Sequence, residues 1–100
     1  MNITVLTPDR EIFKGEITSV KVPGSMGQFQ VLKNHAPIVS SLDAGVITLI
    51  AADGHHKVYN EETGNIEEVL DNGKAYQFNV EGGFIEVLNN EIALLVRGIK

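Results

Sequence analysis

Tyr76-Gln77-Phe78-Asn79-Val80-Glu81-Gly82-Gly83-Phe84-Ile85-Glu86-Val87-Leu88-Asn89-Asn90-Glu91-Ile92-Ala93-Leu94-Leu95-Val96 is the stretch that decides the fold class. Its first six residues alternate, with Tyr76, Phe78 and Val80 apolar and Gln77, Asn79 and Glu81 polar. Successive side chains on a strand point to opposite faces, so this is a strand with one wet face. Gly82-Gly83 then breaks the pattern. Phe84–Leu88 and Ile92–Val96 flank Asn89-Asn90, a pair that tolerates positive φ and closes a tight hairpin. A helix over these residues would need apolar positions three and four apart and no glycine pair.

The same signals extend outward. Phe29 and Val31 alternate with Gln28 and Gln30, and Ile3 and Val5 with Asn2 and Thr4. Gly45, Gly54, Gly64, Gly73 and Gly82 recur every 9 or 10 residues, the rhythm of a β-sandwich or barrel. Asp53-Gly54 and Asn72-Gly73 read as further tight hairpin turns. Val46 to Ala52 and Ile92 to Val96 are apolar on both faces, so each strand is central or has an outer face that something else covers. The expectation is all-β: a two-sheet antiparallel β-sandwich of about ten strands in one domain, residues 1–100, with no linker and no internal repeat.

Composition removes several function classes. One hundred residues suffice for one hydrophobic core. The absence of cysteine excludes a disulfide scaffold, a cysteine zinc site and thiol catalysis. Val46–Ala52, the longest nearly apolar run, is far short of the ~20 residues that span a bilayer. No basic segment follows Met1, so no signal peptide is expected and the chain reads as cytoplasmic. Eight basic residues stand against 13 acidic ones, a net charge of −5. Lysine and arginine are scattered singly and form no basic stripe, so neither nucleic acid nor direct lipid insertion is expected.

Candidate chemistry is sparse. His55-His56 follow Asp53-Gly54, but neighbours on a strand diverge and His35 is the only other imidazole, so the pair reads as a solvated turn and no metal site is expected. Glu61-Glu62 and Glu67-Glu68 invite a two-carboxylate hydrolase, yet they lie in the most polar segment and read as a solvated hairpin. Gly24-Ser25-Met26-Gly27 and Gly82-Gly83 are followed by neither Lys-Ser nor Lys-Thr and open no helix, so they are not phosphate loops. Ser25, Ser40 and Ser41 lack a nucleophile elbow. No catalytic residue and no cofactor are expected. Two loops resist a purely structural account: Met26 stands apolar at a glycine-bounded tip, and Asn34-His35-Ala36-Pro37 makes a rigid corner carrying an imidazole.

These loops carry a family resemblance. Thr7-Pro8-Asp9-Arg10, Phe13-Lys14-Gly15-Glu16, Val22-Pro23-Gly24-Ser25-Met26-Gly27-Gln28-Phe29, Val31-Leu32-Lys33-Asn34-His35-Ala36-Pro37 and Gly82-Gly83-Phe84-Ile85-Glu86-Val87 together resemble the amino-terminal β-sandwich domain of the epsilon subunit of F-type ATP synthase. Order and spacing match from Ile3 to Gly45 and from Val80 to Val96. The resemblance implies a non-catalytic rotor subunit of the central stalk in a proton- or sodium-driven synthase, linking the gamma subunit to the c-subunit ring. It implies a position on the cytoplasmic face of a bacterial inner membrane, peripheral through the complex. Carried over by residue, it assigns Ser25, Met26, Gly27, Gln28, Asn34 and His35 to the c ring. Thr7, Asp9, Ser40, Gly82, Gly83 and Phe84 are assigned to gamma.

Two departures accompany it. Family members commonly continue into a carboxy-terminal two-helix hairpin, whereas this sequence stops soon after its last strand, so regulation by that hairpin and a nucleotide site are expected to be absent. Between Gly45 and Gly82 stand 36 residues, about twice what the family pattern implies, and the surplus reads as an inserted hairpin at about residues 53–75. The competing reading is a stand-alone β-sandwich module for a small ligand or carbohydrate. Such modules present aromatic platforms, and the chain has no tryptophan and two tyrosines, Tyr59 and Tyr76.

Overall fold

Among the described residues the alternating pattern forms ten strands in the computed structural model: β1 (Asn2–Leu6), β2 (Glu11–Gly24), β3 (Gly27–Leu32), β4 (Ile38–Leu42), β5 (Gly45–Ala51), β6 (Gly54–Asn60), β7 (Asn65–Asp71), β8 (Ala75–Val80), β9 (Gly82–Leu88) and β10 (Glu91–Arg97). The structure describes residues 1–60, 62–71 and 73–99, with residues 55, 60 and 71 described through their backbone alone. The all-β expectation holds. Glu61, Asn72 of the Asn72-Gly73 turn, and Lys100 lie outside the described residues.

The 14-residue β2 organises the rest. Its first half pairs with β1 on one side and β6 on the other, and its second half pairs with β3 and β5. The register slips between Ile17 and Ser19, and a slip of this kind bends and twists a strand. One strand thereby serves two layers. A path leaves β2 through β1, β10, β9 and β4 and returns to it where Leu42 pairs with Gly24. Two backbone hydrogen bonds flank this closure: Ser25 N–H donates to Ser41 O (3.0 Å) and Asp43 N–H to Pro23 O (2.8 Å). Val20, Val22, Val31, Ile47 and Leu49 from one layer share a single buried core with Ile3, Val5, Ile85, Val87 and Leu94 from the other. Phe13 lies at its centre with its ring 5.1 Å from that of Tyr76.

Three expectations need correction. Among the described residues one strand pair is parallel: β1 runs alongside β10, with Ile3 opposite Ile92 and Val5 opposite Leu94. Each of the two is antiparallel to its hairpin partner, β2 or β9, and the chain between them brings these pairs together in the same direction. Asp53-Gly54 is not a hairpin turn. β5 and β6 pair with successive stretches of the same edge of β2, Ala51 opposite Ile17 and Val58 opposite Phe13, and Ala52 N–H donates to Glu16 O (3.0 Å) at the break. Gly54, at φ 133°, makes the corner between them.

The third correction follows from that corner. His56 is not solvated: it is 2% exposed on β6, 5.5 Å from the Phe13 ring centroid, and its Nε2–H donates to Ala52 O (2.7 Å). The corner sets the register so that His56 lies over Gly15, whose missing side chain leaves room for the imidazole. The side chain of His55 lies outside the described residues.

The turn at Asn89-Asn90 forms as read, with φ of 51° and 61°, both left-handed, as a two-residue hairpin of the right twist requires. β8 alternates as read, with Tyr76, Phe78 and Val80 turned inward. Glu62, Glu67 and Glu68 are exposed, and among the described residues no group of three or more His, Cys, Asp or Glu could hold a metal ion. Among the described residues no helix is long and apolar enough to cross a membrane.

Candidate functional site

The β2–β3 hairpin presents the first group of candidates. Gly24 pairs with Gly27, so Ser25 and Met26 form a two-residue tip. Gly27, at φ 122°, supplies the backbone that this turn demands. Met26 is 100% exposed, an apolar side chain held out where burial gives it nothing within the chain. The tip is braced from below: Ser41 Oγ–H donates to Ser25 Oγ (3.1 Å), and Ser25 Oγ–H donates to Asp43 Oδ1 (3.1 Å). With the backbone bonds at the closure, the tip is tied to β4 as well as to its own strands. Nothing local in the sequence marks Ser41 and Asp43 as supports of the tip, because both lie distant from it in the chain.

Asn34 and His35 stand elsewhere. The register places Gly83 beside Leu42 and Gly24, whereas Asn34 joins the opposite end of β9 at the Asn89-Asn90 turn. Asn34 N–H donates to Asn90 Oδ1 (2.7 Å), and Asn90 Nδ2–H returns a bond to Asn34 Oδ1 (3.1 Å). Asn34 is left-handed at φ 66°. His35 N–H donates to Leu32 O (3.1 Å), and its Nδ1–H donates to Ala36 O (2.7 Å). That bond fixes the proton on Nδ1 in the neutral ring and leaves Nε2 as an acceptor. Replacing Asn90 with alanine removes both amide bonds and is expected to speed amide hydrogen exchange at residues 34 and 35 about tenfold, measured by exchange mass spectrometry or NMR.

The second group gathers near Gly83. Leu6, Thr7, Pro8, Gly83, Phe84, Leu95, Val96 and Arg97 line a largely apolar groove of about 280 Å³. Thr7 Oγ1 closes the β1–β2 turn by accepting the N–H groups of Asp9 (3.3 Å) and Arg10 (3.1 Å), which orders Asp9 next to the groove. Gly82 is buried against the Arg97 guanidinium, and Ser40 lies on β4 opposite Ile85, with its hydroxyl turned to Ser41 O (3.1 Å). The structure therefore unites Thr7, Gly83 and Phe84 around one groove, with Asp9 and Gly82 at its border. It places the Ser25–Gln28 tip at the same end and Asn34–His35 at the other.

The hairpin of β6 and β7 extends from β2 on the side away from β1. Arg10 anchors it by donating to Tyr59 Oη and by stacking its guanidinium 4.6 Å from the Tyr59 ring centroid. Leu70 on β7 remains 73% exposed.

Comparison with known proteins agrees with this architecture. The family model described as "ATP synthase, Delta/Epsilon chain, beta-sandwich domain" matches residues 1–68. The ATP synthase epsilon chain of Leptospira borgpetersenii is 36% identical over 95 residues, covering 95% of this chain and 59% of that relative. The epsilon chain of Chlorobium limicola is 33% identical over 97 residues, covering 97% of this chain and 89% of that relative. Among solved structures, a chain of the Euglena gracilis mitochondrial ATP synthase superposes with a TM-score of 0.72 at 20% identity, covering 98% of this chain and 51% of that one, a likeness of fold. This chain thus spans about three fifths of the Leptospira relative's length.

Proposed function

The chain belongs to the ATP synthase delta/epsilon β-sandwich family, and on that premise we propose that it is the non-catalytic epsilon-type subunit of the central stalk. In this reading it joins the gamma subunit to the c-subunit ring and turns with them, coupling ion flow to ATP synthesis. It is peripheral to the membrane through the complex, on the cytoplasmic face of a bacterial inner membrane. The family match carries the reading, and the geometry supports it.

A rotor part needs stiffness and attachment surfaces in place of a reactive centre. Stiffness comes from β2 serving both layers and from the closure at Gly24 and Leu42, around a core packed like a solid. The attachment surfaces in this reading are the Ser25–Gln28 tip and the Asn34–His35 corner for the ring, with Thr7, Asp9, Ser40, Gly82, Gly83 and Phe84 for gamma. In this reading the β6–β7 hairpin is the segment inserted into the family sandwich at about residues 53–75.

The test is reconstitution. Mixed with its cognate gamma subunit, the chain is expected to co-elute as a stable complex, and failure to associate across a range of salt would sink the reading. Met26→Glu places a charge where an apolar contact is proposed. It is expected to weaken attachment to c-ring vesicles at least tenfold with the thermal midpoint unchanged, since burying an unpaired charge is costly and the exposed side chain supports nothing in the fold. Unaltered attachment would remove Met26 from the site.

A further inference from the structure

The outer face of β1, β10, β9 and β4 carries a charge pattern that the groove at Gly83 does not account for. Cross-strand register lays this face out in rows. Leu6, Leu95, Phe84 and Ser41 form one row, and Thr4, Ala93, Glu86 and Val39 the next. Leu88 opposite Glu91 begins a third. Val39 is 69% exposed and Leu88 50%, and Phe84 and Leu95 are also open to solvent. Contiguous exposed apolar surface of this kind marks an interaction site.

One carboxylate stands in the middle of it. Glu86 is exposed on β9, between a shallow pocket lined by Val39 and Leu88 and another lined by Ala93 and Leu88. It has no ion-pair partner among the described residues. The nearest cation along its row is Lys14 on β2, which pairs with Thr4. That is three strand spacings away, about 14 Å, beyond the range at which a solvated charge is neutralised. Glu91 adds a second negative charge at the β9–β10 turn, and Arg97 stands at the other end of the face beside Gly82. Along β9 the four residue steps from Gly82 to Glu86 set the two ends of opposite sign about 13 Å apart.

We propose that Glu86 is the specificity-determining residue of this face, and that the face takes an apolar segment of the gamma subunit carrying one lysine or arginine opposite Glu86. The proposal rests on the rotor reading and gives that contact its chemistry. Apolar neighbours of Glu86 lose water on docking and supply affinity. The carboxylate, desolvated with them, is tolerable only if a cation meets it, so it selects the partner. The opposite charge of Arg97 at the far end orients that segment, basic residue toward Asn89-Asn90 and acidic or polar residue toward Gly82.

The experiment titrates purified gamma subunit with the full chain and with Glu86→Gln, Glu86→Lys and Glu67→Lys, the last placing the same change of net charge as Glu86→Lys at an exposed position on β7. Circular dichroism melts establish that each variant is folded. Glu86→Lys is expected to raise Kd at least tenfold at low salt and Glu86→Gln by a smaller factor. The penalty should shrink as ionic strength rises, while Glu67→Lys stays within twofold of the parent. Tight binding by Glu86→Lys, or an equal loss for Glu67→Lys, overturns the assignment to Glu86 while the rotor reading stands. Absence of any complex with the parent chain overturns the rotor reading, and the proposal with it.

Discussion

Replacing Gly83 with alanine is expected to lower the thermal midpoint by roughly 20 °C. Gly83 has φ 148°, a region that side chains rarely adopt. A Cβ there would drive into the carbonyl oxygen of Leu95 and lie 2.9 Å from Val96 Cα and 3.0 Å from the Leu95 carbonyl carbon. All three atoms are backbone of the neighbouring strand, so no side chain can rotate aside. Relief requires β9 to part from β10 where Gly83 faces Val96, beside the closure at Leu42. Strain of about 1–3 kcal/mol and overpacking of similar size together give about 4 kcal/mol. At about 4–8 °C per kcal/mol for a domain of this size, the midpoint falls accordingly. Gly27→Ala is the control: its φ of 122° is also unfavourable, but nothing lies within 4 Å of the added Cβ, so only the strain of about 1 kcal/mol applies. A Gly83→Ala midpoint within about 5 °C of the parent, measured by circular dichroism, would contradict the close approach of β9 and β10.

Such contacts separate what the sequence displays from what it conceals. Period-2 alternation is a local property, so β8, β3 and β1 are readable from their own residues, and Asn89-Asn90 announces its turn through two residues that tolerate left-handed backbone. Pairing is not local. That β1 runs parallel to β10 depends on the route of the whole chain between them. That Asp53-Gly54 is a corner depends on β2 being long enough to receive β5 and β6 in succession. The attachment surface divides in the same way. Exposure of Met26 and Phe84 follows from a glycine-bounded tip and from strand alternation. The bracing of the tip by Ser41 and Asp43, and of the Asn34 corner by Asn90, joins residues far apart in sequence. Glu86 reads as outward-facing from alternation alone, yet only register shows that its neighbours on adjacent strands are Ala93 and Val39.

The burial of His56 gives the second large effect, in Gly15→Ala. The imidazole occupies the space over Gly15, and a Cβ there would collide with Nδ1, stand 2.9 Å from Cγ and come within 3.1 Å of the His56 Cβ. The ring cannot swing outward without leaving Phe13 and giving up the bond from Nε2 to Ala52 O (2.7 Å). Overpacking of this kind costs about 1–3 kcal/mol, and a lost buried hydrogen bond adds to it. The expected loss is about 3 kcal/mol, read as a shift of the urea midpoint with little change in slope. His56→Ala is also destabilising, by about 2–3 kcal/mol, because it opens a cavity beside Phe13. The double variant separates this account from simple glycine propensity. Once the ring is gone, the alanine methyl at position 15 sits in the vacated space, so the double variant should be more stable than the sum of the single losses by about 2 kcal/mol. Propensity alone predicts additivity within about 0.5 kcal/mol, and that result would show that Gly15 is not glycine on account of His56.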